Sequence, residues 1–508
     1  MRHGIVYLVG AGPGDLGLIT LRGLERLRSA DVVLYDRLAA PELLREARPE
    51  AELIPCGKEP GRHAMPQDEI NRTLVDKAAQ GLRVCRLKGG DPTVFGRGAE
   101  EALELAAAGI PFEIVPGVSS AVAAGAYAGV PVTLRGVASS FAVVTGHEDP
   151  MKGESSVDWS ALANAVDTIV VLMGVERAAE IAGELIAAGR SPETPVACVS
   201  RATTPDQSTS VTTLGGLAKD VREQGVVPPT VFMIGEVAAL YPGLAWFEQR
   251  PLFGRRILVT RTREQAGELS RLLADEGAHA IEMPVTEQAP PSSWDEFDRS
   301  LSEMRGYDWI VFTSANAIRW VRQRLRELGL DVRSLCGPRI AAIGPKTAEA
   351  LEQHGLRVDL RPDEHIAEGL VAAMAKDGLP GVRILLLRAE DAREVFPGEA
   401  RNAGASVTVA PVYRTVAADR VDPAIVSLLE EGRIDAVTFA SSSSVTHCVA
   451  AIGEDRARSL LGGVCVACIG PVTAGTAREH GLEVTVQPEE FTIPALVDAL
   501  VRRLADRK

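Results

Sequence analysis

The stretch Val84-Cys85-Arg86-Leu87-Lys88-Gly89-Gly90-Asp91-Pro92-Thr93-Val94-Phe95-Gly96-Arg97-Gly98-Ala99-Glu100-Glu101 opens as a short apolar run, breaks at a glycine pair and an Asp-Pro turn, and continues as a segment that reads as helix. Adjacent glycines at the carboxyl end of a strand let the main chain approach a ligand and leave its N–H and C=O groups uncovered. A second such turn stands near the start. Ile5 to Val9 reads as a buried parallel strand, and Gly10-Ala11-Gly12-Pro13-Gly14-Asp15 as the turn that leads from it to a helix near 20–24. The third glycine of a dinucleotide fingerprint would fall at position 15, which is Asp, and Pro13 removes an N–H from any phosphate cradle. A nicotinamide-dependent oxidoreductase is therefore the weaker reading of this half. The next strand, 31–35, delivers Asp36 and Arg37 to its carboxyl end, the edge where open α/β sheets hold their ligands.

A chain of 508 residues exceeds one ordinary core and implies several domains, enough for two activities. With 46% hydrophobic and 24% charged residues the composition is that of a soluble globular protein, and no apolar run is long enough to cross a bilayer. Met1-Arg2-His3-Gly4 runs straight into Ile5-Val6-Tyr7-Leu8-Val9-Gly10, which reads as a first strand and not a signal peptide, so a cytoplasmic location is expected. The net charge of −14 argues against nucleic acid as a partner, since such binders need a basic footprint. Seven irregularly spaced cysteines suit a reducing compartment. Cys465 and Cys468 form a C-x-x-C inside a run that reads as strand, where an odd separation sends the side chains to opposite faces, and no metal is expected there.

The two glycine turns, read with Val33-Leu34-Tyr35-Asp36-Arg37-Leu38, Cys56-Gly57-Lys58, Val115-Pro116-Gly117-Val118-Ser119-Ser120-Ala121, Ala128-Gly129-Val130-Pro131-Val132-Thr133, Val144-Thr145-Gly146-His147 and Met173-Gly174, resemble the uroporphyrinogen-III C-methyltransferase family. These blocks appear in the family's order from about residue 4 to 245. The resemblance implies a two-lobed α/β fold of the tetrapyrrole-methylase type that uses S-adenosyl-L-methionine. It implies that Pro13, the Gly89-Gly90-Asp91 backbone, Val94, Ser119, Ser120, Met173 and Ala202 line the cofactor pocket. Asp36 and Lys58 match the proposed proton acceptor and donor, and Arg37, Arg97 and His147 are candidates to meet substrate carboxylates. A homodimer through this half is also implied. Three positions depart from the family: Thr93 replaces an aromatic residue, Leu134 a histidine and Ala202 a glycine, the last of which puts the local backbone conformation at issue.

Periodicity gives way to turn residues between Tyr241-Pro242-Gly243 and Arg250-Pro251-Leu252-Phe253-Gly254, which sets domains at 1–245 and 255–508 with a linker at 246–254. Beyond it the sequence repeats. Ile257-Leu258-Val259-Thr260-Arg261 returns as Ile384-Leu385-Leu386-Leu387-Arg388, and Trp309-Ile310-Val311-Phe312-Thr313-Ser314 as Ala436-Val437-Thr438-Phe439-Ala440-Ser441, each 127 residues on. Ala342-Ile343-Gly344-Pro345-Lys346-Thr347-Ala348 returns as Cys468-Ile469-Gly470-Pro471-Val472-Thr473-Ala474, 126 residues on. Two similar α/β units follow, for which two lobes around a cleft are the natural arrangement. Hydroxyl residues stand at the probable helix starts: Thr313, Ser314, Thr347, Ser441 and Ser442 in their serine run, and Thr473. Free N–H groups, the helix dipole and hydroxyls together suit carboxylates, with Arg261, Lys346, Arg388 and Arg414 as added cations.

These blocks and Pro411-Val412-Tyr413-Arg414 are similar to uroporphyrinogen-III synthase. That similarity implies a bilobed α/β synthase with an internal repeat, one lobe formed by the two ends of the segment and the other by about 287–413, with Tyr413 assisting departure of a hydroxyl. Together the resemblances imply a bifunctional enzyme that cyclises hydroxymethylbilane to uroporphyrinogen III and methylates this product twice to precorrin-2. The alternative for the second half is a two-lobed module that binds tetrapyrrole without turning it over.

Overall fold

The computed structural model describes residues 4–57, 65–147, 157–260, 263–362, 366–376, 378–392, 394–417 and 421–505. The chain divides into two compact units: Met1–Arg255 with Leu273–His279 and Leu504–Lys508, and Arg256–Leu272 with Ala280–Arg503.

The first unit holds two five-stranded sheets. In one, the strands Glu52–Pro55, Val32–Tyr35, Arg83–Lys88, Ile5–Gly10 and Phe112–Val115 lie in that order and run parallel. Near-continuous apolar strands are what a sheet covered on both faces requires. One face packs Val6, Leu8, Leu34 and Val84 into a core, and the other packs Val9, Val33, Cys85 and Leu87. Parallel pairing brings every carboxyl end to one edge, so Gly10, Asp36, the Gly89-Gly90 turn and the Pro116-Gly117 turn all leave the sheet there. After the first strand comes a short 3-10 turn, Leu16–Leu18, capped by Asp15. The helix Leu21–Ser29 begins only beyond it, with the Thr20 hydroxyl accepting from the Gly23 N–H. A dinucleotide cradle needs helix N–H groups directly behind the glycine turn, so this geometry argues against the oxidoreductase alternative.

In the second sheet of this unit Phe141–Thr145, Thr168–Leu172, Thr230–Ile234, Pro195–Ser200 and Ser208–Thr213 are neighbours in that order, the first pair parallel and the rest antiparallel. The helix Ser120–Ala128 packs on it through Ala121, Ala124 and Ala128 against Val170, Ala197 and Val199. The stretch expected as a linker, 246–254, is folded into this unit instead of forming a bare tether. Leu252 is fully buried, and the Phe247 ring lies 4.8 Å from Tyr127 and 5.3 Å from Phe253.

The second unit also holds two five-stranded sheets. Their strands run His279–Glu282, Arg256–Val259, Ala436–Phe439, Cys465–Cys468, Val484–Val486 in one, and Thr286–Ala289, Ser406–Ala417, Arg383–Ala389, Trp309–Phe312, Arg339–Ala342 in the other. The sequence repeat has a physical counterpart in this order. The strands at Ile257 and Ile384, at Ala436 and Trp309, and at Cys465 and Arg339 occupy matching places, and in both sheets they are paired in parallel. The chain starts the first sheet, leaves after Glu282 to build the second, and returns at Ala436. Cys468 packs in the core with Phe439 and Val466, where burial pushes its thiol up to about 12, and Cys465 accepts a hydrogen bond from the Thr485 hydroxyl. Among the described residues no cluster of His, Cys, Asp or Glu is placed to hold a metal, and no helix is long and apolar enough to cross a membrane.

Candidate active sites

At the carboxyl edge of the parallel sheet three glycines meet backbone to backbone. A Cβ on Gly117 would stand 2.2 Å from the Gly90 carbonyl oxygen, and one on Gly10 would stand 2.5 Å from Gly117, so neither position admits a side chain without movement. Gly12 and Gly90 exchange two main-chain hydrogen bonds, of 3.2 and 2.8 Å. Asp91 ties the same loops through its carboxylate: Oδ2 accepts from Gly117 N at 3.0 Å, and Oδ1 accepts from the N–H and hydroxyl of Thr93 at 2.7 and 2.6 Å. Thr93, one of the departures, thus replaces ring contact with a polar anchor for its own loop. Gly90 itself is left-handed, φ +67, and a Cβ there would meet nothing closer than Ser119 Cα and Ser120 N at 3.9 Å. The open space beside Gly90 faces the start of the helix Ser120–Ala128, capped by Ser119 onto Ala121 N.

The second sheet supplies further loops to the same unit. Asp15 N donates to the Thr203 hydroxyl at 3.1 Å, and a Cβ on Gly14 would stand 2.6 Å from Thr204, so the Pro13 turn lies against residues 202–204. Arg201 and Thr203 are left-handed, φ 46 and 71, but Ala202 between them is not, which is why alanine is tolerated where the family has glycine. Met173 follows its strand in a left-handed conformation, φ 56, with its side chain half exposed. Non-glycine residues held this way cost of order 1–3 kcal/mol and cluster at ligand sites. Val94 donates its N–H to the Asp91 carbonyl at 3.4 Å. The structure therefore joins the loops bearing Pro13, Gly89, Gly90, Asp91, Val94, Ser119, Ser120 and Ala202, while Met173 is an exposed strained residue on the neighbouring sheet edge.

Asp36 directly follows the strand Val32–Tyr35 and is partly exposed, and its Oδ1 accepts from Arg86 at 2.6 Å. Behind that contact lies a buried charge cluster that sequence reasoning missed. Glu101, fully buried, accepts through Oε1 from Arg86 Nε at 3.1 Å, Lys88 Nζ at 2.7 Å and Gln67 Nε2 at 3.3 Å. Burial pulls the Arg86 guanidinium down, but Asp36 and Glu101 outweigh it and hold Arg86 above its ordinary value. Burial, and then the Arg86 cation, pull the Lys88 ammonium below its ordinary value. The signal was present: cations at 86 and 88 alternate onto one face of a buried strand and demand counter-charges. Lys58 lies outside the described residues. Arg97 is turned to Glu100 at 2.7 Å on the surface, and Arg37 and His147 are exposed.

In the second unit a cavity of about 240 Å³ is lined by strand residues of one sheet, among them Gln288 and Tyr413, and by residues that follow strands of the other, among them Thr260, Ser441 and Ser443, with Asn316 beside them. Tyr413 is buried and shares a hydrogen bond of 3.1 Å with Ser314, the cap of the helix Ala315–Glu327. Burial pushes its phenol up against the opposing effect of Ser314, so it stays a neutral donor. Ser441 heads the helix Ser442–Ile452 in a reciprocal capping box with Ser444. Expectation and structure part at Thr347 and Thr473. Both sit buried at the third position of helices that begin Gly344-Pro345 and Gly470-Pro471, and neither lines the cavity. Thr313 and Ser442 are also outside its lining. Of the added cations, Arg388 is buried and paired with Glu394, Lys346 is exposed near Glu268, and Arg261 is not among the described residues.

Comparisons with known proteins divide the chain in the same way. Residues 5–218 match the model of the tetrapyrrole (corrin/porphyrin) methylases, and residues 267–498 match that of uroporphyrinogen-III synthase HemD. The porphyrin biosynthesis protein HemD of Ruminiclostridium josui is 37% identical over 99% of this chain and 98% of its own length. The uroporphyrinogen-III C-methyltransferase of Bacillus subtilis (strain 168) is 42% identical over 72% of this chain and 74% of its own. Among solved structures, the uroporphyrin-III C-methyltransferase of Thermus thermophilus, complexed with S-adenyl homocysteine, is 44% identical and covers 47% of this chain and all of its own, with a TM-score of 0.41.

Proposed function

Because the chain belongs to the family in which a tetrapyrrole methylase is joined to a uroporphyrinogen-III synthase, we propose that it closes hydroxymethylbilane to uroporphyrinogen III in residues 255–508 and methylates that product twice, to precorrin-2, in residues 1–245. It is a methyltransferase and a synthase of tetrapyrrole biosynthesis, and it uses S-adenosyl-L-methionine. When bound, that cofactor supplies an electrophilic methyl group. The residues present fit it: a bare glycine cradle, helix-start N–H groups and loop carbonyls suit a ligand spread over several loops, and a sulfonium needs no strong anion beside it. The Pro13 turn, Gly89, Gly90, Asp91, Val94, Ser119, Ser120, Met173 and Ala202 would hold it, and Asp36 would accept the proton that the methylated ring gives up. Lys58 would be the donor that the resemblance implies.

The observation that carries the reading is the meeting of Gly10, Gly90 and Gly117, where a Cβ on Gly10 or Gly117 would strike backbone and one on Gly90 would stand in open space. Gly90→Val places a β-branched side chain in that space and in a left-handed conformation that costs an L-residue roughly 1–2 kcal/mol. Calorimetric titration is expected to register lost S-adenosyl-L-methionine binding with cyclisation intact. Unchanged affinity would remove this loop from the site.

For the synthase half, support comes from Tyr413. A neutral phenol in a hydroxyl-lined cavity suits donation to the hydroxymethyl oxygen as it leaves, while the surrounding groups hold a flexible octacarboxylate in a productive fold. One coupled assay tests both steps. The full chain should convert hydroxymethylbilane to uroporphyrinogen III alone, and to the dimethylated product once S-adenosyl-L-methionine is added. Binding of the bilane with no turnover would favour the non-catalytic alternative for residues 255–508. A homodimer through the first half is supported by apolar side chains exposed on the edge strand Phe112–Val115, namely Phe112 and Ile114. Light scattering of the full chain checks it, a monomer mass being the contrary result.

A further inference from the structure

Gln288 stands on the short strand Thr286–Ala289, directly across an antiparallel pair from Thr415 and one diagonal step from Tyr413, so the three side chains share a face of the sheet. It lines the cavity that holds Tyr413. Its carboxamide orientation is set by two donors that cannot accept: Arg319 donates to Oε1 at 2.6 Å and the Trp320 indole N–H at 3.0 Å. The oxygen is therefore already engaged on the protein side. The Nε2 group, with no protein acceptor among the described residues, is the part left to meet a ligand.

Among the described residues the lining of this cavity carries no charged side chain, although the substrate proposed for it has eight carboxylates. The described lining offers neutral donors with fixed directions. We infer that Gln288 is a substrate-binding residue of the second unit, its Nε2 group donating to a carboxylate of the linear bilane and so placing the reacting end beside Tyr413. This inference rests on the synthase reading of residues 255–508.

Gln288→Glu tests it with little change of shape. The two glutamate oxygens still accept from Arg319 and Trp320, but the donor is replaced by an acceptor that repels a carboxylate. Gln288→Met, which removes the donor without adding charge, is the second variant should the first fail to fold. Two measurements are made on the full chain: KM and kcat for hydroxymethylbilane, and direct binding of the bilane lacking its hydroxymethyl group, an octacarboxylate that cannot cyclise. Both variants are expected to weaken bilane binding and raise KM about tenfold or more, with kcat changed less than about threefold, the pattern of a lost contact made equally in ground and transition states. Wild-type bilane affinity in the folded variants overturns the role of Gln288 whether or not the parent cyclises. Weakened bilane binding in the variants, with a parent that binds the bilane but never turns over hydroxymethylbilane, supports Gln288 as the donor and overturns the synthase reading.

Discussion

Asp36→Asn is expected to slow methyl transfer by about 10²–10⁴-fold, the contribution a general base typically makes, with S-adenosyl-L-methionine affinity and the cyclisation rate near those of the parent. A ring carbon that gains a methyl group leaves a cationic, iminium-like tetrapyrrole until a proton is lost. A carboxylate close by stabilises that charge and takes the proton. Asp36 has the position for this work: it follows the strand Val32–Tyr35 at the edge where the glycine loops meet, and it is partly exposed. Arg86 donates to Oδ1 at 2.6 Å and fixes the orientation of the carboxylate. Asparagine keeps the shape and the oxygen that Arg86 needs but removes charge and basicity. Single-turnover methylation with both substrates saturating reads the effect, and cyclisation in the same sample reports on the rest of the chain. A rate within about threefold of the parent, far less than a general base supplies, would leave Asp36 as no more than a partner of Arg86.

The sequence made the parallel strands and their turns legible because buried strands of this kind are near-continuous apolar runs cut by glycine, as at Ile5–Gly10 and Arg83–Lys88. The repeat in the second half was legible for the same reason, and its strands do occupy matching places in two sheets. Side-chain direction was not. Thr347 and Thr473 stand at helix starts, as their Gly-Pro neighbours suggest, but two residues past the first helical position the turn of the helix carries them inward. Gln288 had no local signal at all, since its neighbours Arg319, Trp320 and Thr415 come from distant segments. The stretch 246–254 reads as a linker through its Pro and Gly, yet Phe247 and Phe253 were the better guide, because aromatic side chains bury large apolar area wherever a surface receives them.

Glu101→Ala is expected to destabilise the first unit by about 3–5 kcal/mol, the usual cost of removing one partner from a buried ion pair. Since a domain's whole stability is only about 5–15 kcal/mol, the effect would be large. Arg86 keeps Asp36, but Lys88 loses the carboxylate to which it donates and is left as a cation almost fully buried. Lys88 has one escape, which is to give up its proton. Burial and the Arg86 cation already pull its ammonium below the ordinary value, and without Glu101 it falls further. The unfolded chain then binds the extra proton between that lowered value and the unfolded value of about 10.4, so stability rises with pH across this window. The deficit should therefore be greatest below the lowered value, where both states carry the charge, and should shrink as pH rises through it. Denaturant-dependent hydrogen exchange, followed in the strand Arg83–Lys88 and the helix Gly98–Ala107, reads this unit, while cyclisation activity reports on the other. A variant within about 0.5 kcal/mol of the parent, the span of ordinary surface substitutions, would mean that Glu101 does not hold the cluster together. A deficit of full size that ignored pH would trace the loss to the space left by the side chain, and not to the stranded charge on Lys88.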